Sequence, residues 1–90
     1  MLSRTRNCIV CGATTNLHRH HIFYGTANRK NSEKYDLTCW LCQEHHEGTF
    51  GVHGAHGEHL NEALKKMAQF EFEKTHSRME FMQIFGKNYL

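Results

Sequence analysis

Residues 37–46 read Leu37-Thr38-Cys39-Trp40-Leu41-Cys42-Gln43-Glu44-His45-His46 and contain the signals of a strand, a helix start and a metal site. The first five of these residues include a β-branched and an aromatic side chain, which predicts a β-strand over residues 37–41. The polar residues after Cys42 indicate that a helix begins there. The spacing Cys42-x-x-His45 therefore places two side chains that commonly bind metals at the point where a strand gives way to a helix.

A second cysteine pair lies near the N-terminus. Cys8-x-x-Cys11 is followed by Gly12, and glycine permits the tight turn that brings two thiolates together in a zinc knuckle. Four cysteines could instead form two disulfides in a secreted chain. Residues 1–7 are basic but no apolar signal segment follows them, and no apolar run approaches the ~20 residues that cross a bilayer. We therefore expect a cytoplasmic protein with no membrane partner, whose cysteines bind metal.

The size of the chain also favours a metal. Its 90 residues, 39% of them hydrophobic, predict a single domain over residues 1–90 with a small core. Ordering such a chain costs about 1.5 kcal/mol per residue, which apolar burial at this size barely offsets. Bound zinc would supply the missing stabilisation.

Two sets of four residues could bind this zinc. Cys8 and Cys11 could be joined by Cys39 and Cys42, or by Cys42 and His45. A strand at 3.3 Å per residue would hold Cys39 and Cys42 about 10 Å apart, too far for one tetrahedral ion. We favour His45, and Cys39 would then be a small buried hydrophobe.

The remaining pattern predicts an α+β fold with C-terminal helices. We expect a strand over 17–24, a polar loop over 25–35 and a flexible loop over 48–57, where glycine recurs at every third position. A helix beginning at Glu58 and a shorter one after the capping box Ser77-x-x-Glu80, closed by Gly86, should follow. Their apolar stripe should form the core and comprises Leu60, Ala63, Leu64, Met67, Phe70, Met79, Met82 and Ile84.

Histidines and basic residues indicate where the chemistry lies. Eight of the nine histidines fall between His18 and His59, and two pairs are adjacent, His20-His21 and His45-His46. Neighbouring strand residues point to opposite faces, so only one histidine of a pair is expected to face a given site. The first 34 residues carry six basic side chains and one acidic one, which suggests a face that meets a polyanion.

These blocks together resemble a known family. They are Cys8-x-x-Cys11, Leu17-x-x-His20-His21-Ile22-Phe23, Asn28-Arg29-x-x-Ser32-Glu33-Lys34-Tyr35, Leu41-Cys42-x-x-His45-His46, Val52-His53 and the closing Phe85-Gly86-Lys87-Asn88-Tyr89-Leu90. The pattern is similar to that of the small zinc-containing HNH endonucleases encoded by bacteriophages and prophages, and it covers about residues 8–90. The resemblance implies a zinc-stabilised ββα-metal finger over about residues 8–56, with the helical part, about 57–90, packed on it.

In the family pattern the finger holds a catalytic divalent cation besides the structural zinc. The resemblance assigns His20 and His46 as its ligands and His21 as the general base. The family's next ligand falls where this chain has Phe50, so His53 is the expected substitute, with His56 and His59 as alternatives. Mg²⁺, Mn²⁺, Ni²⁺, Co²⁺ or Zn²⁺ could serve, although imidazole ligands suit the transition metals better than Mg²⁺.

The asparagine that orients the base in the family has no clear counterpart here. Asn28, Asn31 and Asp36 are the candidates. Arg29, Lys30 and Lys34 are expected to contact DNA phosphates.

The function implied is metal-dependent hydrolysis of DNA phosphodiester bonds, by a monomer or weak dimer in a bacterial host cell. Partner proteins of phage or host are not specified by the pattern. A zinc-stabilised module that binds nucleic acid or protein without cleaving it is the alternative. A histidine-rich protein that stores metal is a third possible function, but it is less consistent with the fixed cysteine spacing.

Overall fold

The computed structural model describes all 90 residues and has an α+β fold with one two-stranded antiparallel sheet and four helices. The elements in chain order are β1 (Leu17–His21), α1 (Thr26–Lys34), β2 (Thr38–Cys42), α2 (Gln43–Glu47), α3 (Glu58–Phe72) and α4 (Arg78–Phe85). None of the helices is both long and apolar enough to span a membrane.

The register of the sheet positions the histidines of β1. His20 lies opposite Cys39, and Leu17 lies opposite Cys42 at the other end. Side chains alternate along a strand, so His18 and His20 share one face of β1, whereas His21 lies on the other. The strand ends at His21, three residues earlier than the pattern predicted.

The N-terminal knuckle is attached to β2 through the backbone. The N–H of Ile9 donates to the carbonyl of Trp40 at 2.9 Å, and the N–H of Gly12 donates to the carbonyl of Cys8 at 2.8 Å. Gly12 has a φ of +77°, a left-handed conformation that glycine adopts without a steric cost. The glycine therefore has the role that the sequence assigned to it.

The prediction of a loop over residues 25–35 is wrong, because residues 26–34 form α1. The segment is polar and only Ser32 is buried, so it carries no apolar periodicity that would indicate a helix. A tertiary contact stabilises it instead. The Ser32 hydroxyl donates to the carbonyl of Phe23 at 2.7 Å and accepts from the Phe23 N–H at 3.0 Å, joining α1 to the end of β1.

Aromatic rings form the centre of the core. Phe23 contacts Phe81 and Phe85, with ring centroids 5.4 and 4.5 Å apart. Phe72 of α3 packs edge-on against Phe81 at 5.4 Å. Helix α4 thus packs on Phe23, the second residue after β1, and α3 packs on α4 through Phe72, which couples the stability of these helices to the position of that strand.

The predicted C-terminal helices are confirmed, but most of the predicted core stripe is wrong. Leu64 is buried and Leu60 and Ile84 are half-buried, whereas Ala63, Met67, Phe70, Met79 and Met82 are exposed. The buried face of α3 consists of Leu64, Ala68, Gln69 and Phe72. It is rotated from the predicted stripe because the apolar residues of α3 cover about half of its circumference, which is wider than the face that is buried.

The boundaries of the C-terminal region follow the local signals. The hydroxyl of Ser77 accepts from the N–H of Glu80, whose side chain accepts from the N–H of Ser77, so the capping box is confirmed. Gly86 ends α4 with a φ of +82°.

The glycine-rich segment before α3 is non-helical, as predicted. Its backbone passes so close to itself that a β-carbon at Gly54 or Gly57 would collide with backbone carbonyl oxygens.

We expect α3 to respond to truncation according to the observed face. Phe72 is 3% exposed, so Phe72→Ala should lower the free energy of unfolding by about 3 to 5 kcal/mol. Phe70 is 62% exposed, so Phe70→Ala should change it by less than about 0.5 kcal/mol. Denaturant titration of the two zinc-loaded variants makes the comparison, and an equal loss in both would contradict the burial described here.

Candidate metal centres

The first candidate metal centre joins the N-terminal knuckle to the start of α2. One ligand atom from each of Cys8, Cys11, Cys42 and His45 lies within 4.8 Å of all the others, so these four residues could hold a metal ion. Nδ1 of His45 is 3.6 Å from Sγ of Cys8 and 3.2 Å from Sγ of Cys42. The Sγ atoms of Cys11 and Cys42 are 3.8 Å apart.

These separations fit a zinc tetrahedron. With bonds near 2.3 Å to sulfur and 2.0 Å to nitrogen, a tetrahedral ion places two sulfurs about 3.8 Å apart and a sulfur and a nitrogen about 3.5 Å apart. The donor set, three thiolates and one imidazole, is one that structural zinc sites use. That the ion is zinc stays a prediction.

Cys39 does not belong to this group. It is completely buried in β2 opposite His20, where burial raises the pKa of its thiol to about 12. Cys42, three residues on, lies at the end of the strand and serves as the cap of α2. Because the strand separates the two cysteines, only Cys42 reaches the knuckle.

Cys8 has the electrostatic surroundings of a metal ligand. Burial alone would raise the pKa of its thiol, but hydrogen bonds from the backbone of Cys42, Cys11 and Val10 outweigh burial and lower the pKa to about 6. The thiolate is the form that binds metal, so the backbone favours the state that a bound cation needs.

The second candidate centre is formed by three histidines from separate parts of the chain. His20 comes from β1, His46 from α2 and His53 from the loop that follows, and one nitrogen of each lies within 4.8 Å of the other two. The ring centroids are 4.8 to 5.3 Å apart. Backbone bonds from Val52 to His45 and from His53 to His46 fold the glycine-rich loop back onto α2 and so carry His53 to the centre.

The His20 ring is suited to a cation. Its Nε2 is buried and has no hydrogen-bond partner. A buried nitrogen of this kind costs free energy unless another group binds it. Burial, reinforced by the neighbouring His46 and His53, lowers the pKa of His20 to about 3, and burial also lowers the pKa of His46. Both rings are therefore neutral at neutral pH, and neutral imidazole is the form that binds metal.

Two further residues, His18 and Glu47, lie close to the ring of His46. The sequence did not assign a role to either of them. Nδ1 of His18 is 2.8 Å from Nδ1 of His46, and Oε1 of Glu47 is 3.8 Å from the same atom. Partners of this kind commonly orient a metal-binding imidazole. The signal available in the sequence was the spacing of His18 and His20, which places both on one face of a strand.

His21 lies on the other face of β1 and contacts α1. Its Nε2 is 2.6 Å from Oε2 of Glu33, whose Oε1 accepts from Arg19 at 3.0 Å. The hydrogen bonds from His21 and Arg19 lower the pKa of Glu33, so the carboxylate is ionised and orients the ring. The His21 side chain is 13% exposed. Glu33, which sequence analysis named only as part of a motif, is thus the residue of α1 that reaches the predicted base.

The other predicted site residues are distributed over α1 and the glycine-rich region. Arg29, Lys30 and Lys34 are exposed on α1, and a shallow groove is lined by Thr26, Arg29, Lys30 and Glu33. Asn28 and Asn31 are half-buried on the same helix, and Asp36 is exposed after it. His56 and His59 are exposed and belong to neither histidine nor cysteine centre.

Comparison of the chain with family models, with curated proteins and with solved structures finds no match.

We expect the first centre to hold one zinc ion per chain. Cys42→Ala removes one of its ligands and should abolish tight zinc binding, whereas Cys39→Ala should retain one equivalent, because Cys39 lies outside the centre. Zinc content after dialysis and the charge-transfer absorption of the Co²⁺-substituted protein measure this. A chelator that removes the ion should unfold the domain, since such sites contribute about 10 to 16 kcal/mol to folding.

Cys39→Ala also serves as the control for the loss of a buried thiol. Loss of zinc from both variants would favour the four-thiolate set, and metal-free protein that kept a cooperative thermal transition would contradict a structural role.

Proposed function

We propose that the protein is a metal-dependent DNA endonuclease of the HNH type, in which the cysteine-rich centre is structural and the three-histidine centre is catalytic. The observation that carries the proposal is the convergence of His20, His46 and His53 on one point, with a buried and unpartnered nitrogen on His20. A purely structural domain of this size needs only one metal, and the cysteine-rich centre already suffices for that.

The donor atoms of the second centre suit a catalytic cation. Three protein ligands leave positions for substrate, as in catalytic rather than structural sites. A divalent cation held there would act as a Lewis acid toward the scissile phosphate. His18 and Glu47 support the centre by fixing the orientation of the His46 ring.

His21 is the proposed general base. A neutral imidazole accepts a proton from water near neutral pH, and an adjacent carboxylate both orients the ring and stabilises its protonated form. Glu33 supplies that carboxylate at 2.6 Å, and Arg19 holds Glu33 in place from the same face of β1. His21 thus has the carboxylate partner expected of a general base, although it does not belong to the group formed by His20, His46 and His53.

The exposed face of α1 is the proposed DNA-binding surface. Arg29 and Lys30 line the groove that also contains Glu33, the partner of His21. Such side chains bind phosphates without reading sequence, so we expect the enzyme to bind DNA of any sequence. We propose that the enzyme acts in the cytoplasm of a bacterial host as a monomer or weak dimer, which cuts one strand in each encounter.

Substitution of the histidine pair should separate the base from the metal ligand. His21→Ala should lower the rate of cleavage by roughly 10² to 10⁴-fold, the usual contribution of a positioned base, and leave zinc content and DNA affinity nearly unchanged. His20→Ala should weaken the second metal, so that added Mn²⁺ partly restores its activity. Nicking of supercoiled plasmid under single-turnover conditions measures both.

His59→Ala is the matched control, because His59 is exposed on α3 and lies outside both centres. If His21→Ala cleaved DNA at the wild-type rate, His21 would not be the general base. If Mn²⁺ rescued both variants equally, His21 would be a ligand instead. Wild-type protein that binds DNA but cuts none with any divalent metal would support the binding module over the nuclease.

The basic residues of α1 should act through salt-dependent affinity. Arg29→Ala and Lys30→Ala should each weaken DNA binding at low salt and reduce the slope of log affinity against log salt by about 0.9, whatever the sequence of the DNA. Fluorescence anisotropy at several salt concentrations provides the slopes. Lys66→Ala, which removes an exposed charge from α3, should leave the slope unchanged.

A further inference from the structure

The middle of α3 brings a lysine close to the three-histidine centre. Nζ of Lys65 lies 5.3 Å from the centroid of the Tyr24 ring. The Tyr24 ring in turn lies 5.2 Å from the ring of His53 and 6.0 Å from that of His20. A single aromatic side chain therefore separates the ammonium group from two of the three histidines.

The surroundings hold Lys65 in this position. Its Nζ also lies 5.5 Å from the ring of Tyr89, so the ammonium group is placed over two aromatic faces. The Tyr24 hydroxyl accepts a hydrogen bond from Asn61 at 2.7 Å, which fixes one of these rings from the preceding turn of α3. Lys65 is half-buried, whereas its neighbour Lys66 is exposed. Less conformational entropy is lost when such an ordered side chain binds a ligand.

The ammonium group of Lys65 makes no ion pair with a carboxylate. None of the six ion pairs of the chain includes it. Glu62, on the same helix, is exposed and makes no ion pair with it.

The three histidines of the centre carry no negative charge that would neutralise a bound cation. His20, His46 and His53 are neutral donors, so a divalent cation bound by them would keep its full charge. The nearest carboxylate, Glu47, lies 3.8 Å from Nδ1 of His46 and 3.9 Å from Nδ1 of His18, and its side chain is 58% exposed. A cation at the centre and the ammonium group of Lys65 would repel each other, and an anion bound by both would relieve that repulsion.

We propose that Lys65 binds, together with the metal of the three-histidine centre, the phosphate group of the substrate, so that metal and phosphate bind cooperatively. The inference rests on the metal centre of the proposed function but not on cleavage. It adds a phosphate contact from α3 to those on α1. It also implies linkage: phosphate tightens metal binding, and metal tightens phosphate binding by the same factor.

Manganese binding to the zinc-loaded protein tests the proposal. Free Mn²⁺ is measured by electron paramagnetic resonance, with and without dimethyl phosphate, a phosphodiester that carries no base. Dimethyl phosphate should tighten Mn²⁺ binding to the wild type. In Lys65→Met the enhancement by dimethyl phosphate should fall by about three- to tenfold, which is the scale of one partly screened charge interaction. Without dimethyl phosphate, Lys65→Met should bind Mn²⁺ more tightly than the wild type by a similar factor, because the repulsion from the ammonium group is lost.

Two variants control for charge and for folding. Lys66→Met removes the same charge from the next position of α3 and should behave like the wild type in both conditions. Lys65→Arg keeps the charge and should preserve most of the enhancement, whether or not Lys65→Met is less stable.

The possible failures can be told apart. If no second ion binds, or if His46→Ala leaves Mn²⁺ binding unchanged, the metal centre is absent and both proposals are overturned. If the ion binds at the centre but Lys65→Met matches the wild type with and without dimethyl phosphate, only this inference is overturned. If the linkage depends on Lys65 although no DNA is cut, the inference stands and the nuclease does not.

Discussion

The register of the two antiparallel strands positions ligands of both candidate metal centres. By pairing His20 with Cys39 and Leu17 with Cys42, it brings His20 to the face that α2 covers and leaves Cys42 at the end of β2, within reach of the knuckle. A slip of one residue would turn each of these side chains to the opposite face. The two candidate metal centres therefore depend on one set of backbone hydrogen bonds.

Adjacent histidines on α2 connect the two centres. His45 belongs to the cysteine-rich group and His46 to the histidine group, so metal binding at the first centre would also order the residue that serves the second. The helix has only five residues and no buried side chain of its own. Its stability comes from its contacts, which is typical of short helices. A structural ion here would thus order a ligand of the second centre as well as stabilise the fold.

The ligands of the two centres differ in charge. Three thiolates more than neutralise a divalent ion at the first centre, which suits a closed structural site. The second centre has three imidazole ligands, and Lys65, which makes no ion pair, lies on the far side of the Tyr24 ring from them. Such a site attracts anions, and the basic face of α1 adds to that attraction over a longer range. Both features support the phosphate-bearing substrate that we propose.

Local patterns in the sequence determined the knuckle at Cys8, the capping box at Ser77 and the glycine-rich loop, because each depends on residues only a few positions apart. They also favoured His45 over Cys39, since strand geometry is local. Tertiary structure alone decided that residues 26–34 form a helix, because Ser32 is held by Phe23 and no apolar periodicity marks the segment. It likewise selected the Phe72 face of α3 over the Phe70 face. Contacts between distant residues, such as His21 with Glu33 or Lys65 with Tyr24, depend on how the elements pack, and no short spacing in the chain encodes them.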